Sequence, residues 1–70
     1  MKIIKIKTVI EEHTIPKEIE NVLIQKAKER TEYDKDFACY RKHEQLERIY
    51  SELYGDIDNE DNVQYWYIDC

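Results

Sequence analysis

The stretch TEYDKDFACYRKHEQLERIYSELY, residues 31–54, decides the fold. It is the longest helical pattern in the chain, and the only glycine, Gly55, follows it directly. That is where a helix C′ residue belongs, because glycine enters the left-handed conformation without steric cost. At the front, Thr31 with Asp34 three residues on matches a weak capping box. At about 100° per residue, Ala38, Cys39, Leu46, Ile49, Tyr50 and Leu53 fall in one arc. The run Cys39, His43, Leu46, Tyr50, Leu53 steps by four, three, four, three, the seam spacing of a helix packed on something. Tyr33, Phe37 and Tyr40 share a second arc, turned well away. The aliphatic face is expected to meet a sheet and the aromatic flank another helix. The competing expectation leaves part of the flank exposed for binding, since tyrosine is enriched at interfaces.

Working toward the N-terminus, no glycine or proline lies between Pro16 and Gly55. A single helix of about 57 Å, at ~1.5 Å per residue, would fit that gap. Phase argues against it: the stripe Ile19, Leu23, Ala27 points nearly opposite to Leu46, Ile49, Leu53 on an unbroken helix. A break near Thr31–Asp34 lets both halves face one core. The first helix starts at Pro16, at the first helical position, with Ile15 extended before it and Thr14 near enough to cap. Glu18 and Glu20 open it and Lys26, Lys28 and Arg30 close it, as the helix dipole favours. Val22 joins Ile19, Leu23 and Ala27 in the expected buried stripe, and Ile24 points away.

Residues 2–11, KIIKIKTVIE, alternate and read as one half-buried strand. Ile4, Ile6, Thr8 and Ile10 point one way; Ile3, Lys5, Lys7 and Val9 point the other. Residues 56–62, DIDNEDN, read as an acidic turn, and residues 63–70, VQYWYIDC, as a strand with Tyr65 and Tyr67 on one face and Trp66 and Ile68 on the other. The expected fold is α+β, a single domain over residues 1–70: a small β-α-α-β unit, two terminal strands in one sheet with two helices on one face. Two strands alone make a marginal sheet, so a homodimer continuing it, or strand addition to a partner, is expected to complete it.

Seventy residues bury little core. The chain is 41% hydrophobic and 39% charged, polar for a globular domain, but its aromatic and aliphatic content argues against disorder. Met1-Lys2 is followed by alternating Ile and Lys rather than an apolar signal core, and no stretch reaches the ~20 apolar residues of a membrane helix. The expected location is cytoplasmic, with two free thiols, Cys39 and Cys70.

Net charge is −5 and unevenly spread. Lys2, Lys5 and Lys7 stand in the first ten residues without an acid. No Lys or Arg follows Arg48, where Glu52, Asp56, Asp58, Glu60, Asp61 and Asp69 stand. Gripping phosphate relies on Lys and Arg displacing counterions, so no direct nucleic-acid contact is expected. The acidic end suits a basic protein partner, itself often a nucleic-acid-binding protein.

Catalytic signatures are missing. Cys39 and His43 share a helix face and, with His13 and Cys70, make the inventory of a structural zinc site, but the outer two are single residues at opposite ends of the chain. A packed cysteine and a core-edge histidine are the simpler reading. His43-Glu44-Gln45-Leu46-Glu47 is one residue short of the zincin HExxH. Asp56, Asp58, Glu60 and Asn62 alternate like calcium-loop ligands, but Asp61 stands where the loop needs glycine and Tyr67 where it needs an acid. Ser51 is the one serine, with no histidine in register, and one glycine cannot make a phosphate loop. No enzyme, metal or cofactor is expected.

What remains is acid beside tyrosine: Asp56, Asp58, Glu60 and Asp61 border Tyr65, Trp66 and Tyr67, with Tyr54 just before. Acids two apart on an extended segment stand about 6.6 Å apart, at ~3.3 Å per residue. Such a row suits a groove built for phosphates, with rings stacking on its arginines. The expected partner-binding residues are Asp56, Asp58, Glu60, Asp61, Tyr54, Tyr65 and Tyr67. The expected function is a non-enzymatic inhibitor that occludes the basic groove of a nucleic-acid enzyme by DNA mimicry, as small phage or mobile-element counter-defence proteins of the anti-CRISPR kind do. The alternative is a homodimeric structural or adaptor protein with Tyr65 and Tyr67 in an aromatic self-interface.

Overall fold

The computed structural model describes residues 1–57 and 62–69. Its order is β1 (Lys2–Ile6), β2 (Ile10–Thr14), α1 (Lys17–Tyr33), α2 (Lys35–Ala38), α3 (Lys42–Tyr54) and β3 (Tyr65–Asp69). The fold is α+β: the two terminal strands lie in one antiparallel sheet and the helices pack on one of its faces.

The sheet has a third strand, in the order β2-β1-β3. Residues 2–11 are not one strand, because the chain reverses over residues 7–9, where the Lys7 amide donates to the Val9 carbonyl at 3.1 Å. None of the usual turn residues marks that reversal. Charge does: Lys5 stands opposite Glu11 in the register, and Lys7 Nζ lies 3.2 Å from Glu11 Oε1. Opposite charges across an antiparallel pair stabilise it, and Lys7 and His13, hydrogen-bonded to Glu11, hold its carboxyl below the usual carboxylate range. The reversal strands Ile10, expected to face inward with Ile4, at 68% exposure. It also supplies the extra pairing that two terminal strands lacked.

Helix α1 follows Pro16, which sits at the N-cap rather than the first helical position. Thr14 ends β2 and caps nothing. Leu23 and Ala27 are buried and Ile19 packs against them, but Val22, expected in the stripe, is 40% exposed. The expected break falls at Asp34, in extended conformation at φ −114°, ψ 99°. Its Oδ1 accepts from the Phe37 amide at 3.0 Å, so Asp34, not Thr31, is the cap; Thr31 Oγ1 donates back to the Lys28 carbonyl. The Phe37 amide, with Arg30 beside it, keeps the Asp34 carboxyl below its ordinary pKa.

A second break, at residues 39–41, leaves α3 with 13 residues. Its cause is Phe37. On one long helix the aromatic flank points away from Leu46 and Ile49; the one-turn α2 rotates Phe37 inward until 1% of it is exposed. Ala38 and Cys39, expected in the aliphatic arc, then face solvent. The carbonyls freed at the break are not orphaned, because Gln45 Nε2 donates to those of Phe37 and Tyr40. Gly55 ends α3 at φ 95°, a backbone that disfavours any side chain. Ile3, Trp66 and Ile68 from the sheet meet Leu23, Phe37, Leu46 and Ile49 from the helices. Ile57, inside the acidic segment, is also buried in this core. Leu53, expected in the seam, is exposed.

Candidate surface between α3 and β3

β3 is an outer strand, so one of its edges meets no other strand among the described residues. α3 lies across it, with the Tyr50 and Trp66 rings 6.3 Å apart. A groove of about 540 Å³ runs between the two elements. Glu44, Glu47 and Glu52 of α3 line it, with Asp56 just beyond the helix; Arg48 is the one Lys or Arg on its walls. Tyr40, Tyr65 and Trp66 supply aromatic wall. Arg48 lies over the Tyr40 ring, 4.5 Å from its centroid, a cation–π contact that keeps the guanidinium at one end.

The acids differ in commitment. Glu52 is ion-paired to Arg30, and this bond raises the guanidinium pKa further. Glu47 Oε2 accepts twice: from His43 Nδ1 at 2.9 Å and from the Ile68 amide of β3 at 3.3 Å. Glu44 has no ion pair among the described residues. Carboxylates that share a groove this way make its field negative.

A second hollow of about 410 Å³ lies against the same strand, lined by His43, Tyr65, Tyr67, Ile68 and Asp69. Tyr65 belongs to both hollows. It is 59% exposed, and its ring stands 5.9 Å from that of Tyr67.

Of the expected binding residues, Asp56 and Tyr65 share the groove and Tyr67 adjoins Tyr65. Tyr54 does not line either hollow; it rests on Tyr50, with centroids 5.0 Å apart. Asp58, Glu60 and Asp61 lie outside the described residues. Glu44, Glu47 and Glu52 are not among the expected binding residues, because they lie outside the apolar stripe of α3. Their own spacing, three and five residues on one helix, was the available signal.

The motifs weighed for metal resolve locally. His43 and Glu47, the two ends of the near-HExxH, bond to each other. Cys39 is exposed at the second break, and no three His, Cys, Asp or Glu among the described residues gather as a metal site. No helix among the described residues is long and apolar enough to cross a membrane. No protein-family model, curated protein or solved structure matches the chain.

Proposed function

We propose that this protein is a non-enzymatic binding protein that occludes the basic groove of a nucleic-acid enzyme. The observation that carries the reading is the groove between α3 and β3, where four carboxylates and three aromatic rings face one guanidinium. Carboxylates at that density attract Lys and Arg from a distance, and exposed rings give arginine a face to stack on. Asp56 stands on the wall of the groove, and Asp58, Glu60 and Asp61 follow it in the sequence. A protein surface shaped for phosphates meets, in the carboxylates of the groove, charges of the sign it is built to hold. Counter-defence by a small phage or mobile-element protein, of the anti-CRISPR kind, is one setting for such an inhibitor.

The test is capture on the tagged protein from a nuclease-treated lysate of the native host, at low and high salt. The reading expects a basic nucleic-acid enzyme that is retained at low salt, released at high salt, and inhibited by the purified protein. Changing Asp56, Asp58, Glu60 and Asp61 together to Asn or Gln is expected to abolish that inhibition. Inhibition left intact by the quadruple change would remove the mimicry argument.

A homodimer is the second reading, favoured by the exposed Tyr65 beside Tyr67 and by exposed Val9 and Ile10 on the hairpin. Salt-insensitive self-association, lost in Tyr65→Glu, would establish it, and a strict monomer at micromolar concentration would end it.

A further inference from the structure

We propose that the free edge of β3 is the docking line of this surface, and that it takes an extended, basic segment of the partner as an added antiparallel or parallel strand. This rests on the reading of a basic partner and goes further, naming the element recognised. Both hollows abut one strand and meet at Tyr65. One holds carboxylates and the other a tyrosine pair, and they share the outermost strand of the sheet. A strand laid on that edge sends alternate side chains to opposite faces. Every second residue would then enter the acidic groove, and the residues between would lie toward Tyr65 and Tyr67. The fitting sequence is therefore a basic residue alternating with an apolar or aromatic one.

Charge decides the occupant. With Glu44, Glu47, Glu52 and Asp56 on its walls, and Arg30 already holding Glu52, the groove disfavours an acidic strand. A second copy of β3 would bring Asp69 and its own Glu47 to the same edge. The edge is also held ready. Its Ile68 amide is occupied by Glu47, a side chain rather than a strand. An arriving arginine gives the Glu47 carboxylate a new partner and frees the Ile68 amide for the added strand. Main-chain bonds then supply affinity and the two hollows supply selectivity, as in other strand-addition complexes.

The probe is a labelled, end-blocked ten-residue peptide alternating arginine and valine, followed by fluorescence anisotropy and by amide shifts of the full chain. Two isomers of it carry N-methyl groups, one on the arginines and one on the valines. They have equal charge but keep N–H groups on opposite edges. Strand addition expects the parent to bind and one isomer to bind at least tenfold more weakly than the other. Amide shifts should centre on residues 64–69, with Glu44→Gln weakening the parent severalfold. Equal binding by both isomers, or shifts centred elsewhere, overturns strand addition while leaving the basic-partner reading standing. A parent peptide that fails to bind even at low salt overturns both.

Discussion

The two edges of the sheet are built from opposite materials. β2 closes one edge with Ile10-Glu11-Glu12-His13-Thr14 and buries none of these residues. β3 closes the other with Tyr65-Trp66-Tyr67-Ile68-Asp69 and sinks Trp66 and Ile68 into the core. An unpaired edge invites foreign strands, and proteins blunt that hazard with charge. β2 is blunted by charge, with Glu11, Glu12 and His13 in a row and Glu11 bonded to both Lys7 and His13. β3 is guarded at one amide, by one carboxylate from another element. The lesson is that protection spread over a strand makes a wall, whereas protection resting on one side chain makes a door.

The largest expected difference between the edges is in stability. Trp66→Ala should cost about 3–5 kcal/mol, the range for deleting a buried aromatic, and Phe37→Ala beneath it should cost about as much. Glu12→Ala on the β2 edge should stay within about 0.5 kcal/mol. Urea unfolding followed by circular dichroism separates these, and similar losses at both edges would break the comparison.

Next is the guard itself. Glu47→Ala leaves the Ile68 amide without its acceptor and should destabilise by about 1 kcal/mol. Hydrogen exchange at the Ile68 amide should quicken well beyond that change in global stability. Unchanged exchange would mean that Glu47 does not protect the edge.

Asp34 sharpens the contrast between the sheet and the helical layer. Asp34→Ala should destabilise the chain as a lost cap, with Asp34→Asn losing less. Because folding lowers the Asp34 pKa, its contribution is present above the ordinary carboxylate value of about 3.9 and fades as pH falls through the lower folded value. Stability of Asp34→Asn should therefore fall less steeply below about pH 4 than that of the parent. Parallel acid limbs would show that the cap does not titrate with folding.

The smallest effect belongs to the hairpin. Glu11→Gln removes exposed ion pairing with Lys7 and should cost less than the loss of the Asp34 cap, shrinking further with added salt. A larger loss would mean that charge, rather than the β1–β2 backbone pairing, holds the reversal.

These contrasts also mark where the sequence was readable. The terminal strands, the two principal helices, Gly55 as a stop and the break at Asp34 all follow from periodicity, phase and backbone preference, which are local. The reversal at residues 7–9 does not, since Lys7, Thr8 and Val9 carry no turn preference and its mark in the sequence is a charge match four residues apart. The second break was hidden for the same kind of reason: burying Phe37 is a tertiary gain that outweighs unbroken helix. The groove was half visible. Tyr65 and Asp56 stood out as aromatic and acid, but Glu44, Glu47 and Glu52 become a wall only once α3 is laid across β3.

The single tryptophan stands where that wall meets the core. Trp66 packs near Tyr50 on one side and faces the groove on the other. Its emission should therefore shift when the protein unfolds and also, in a different direction, when the groove is filled and water leaves its rim. The molecule carries its own optical gauge of occupancy, and a partner can be titrated against the unlabelled chain.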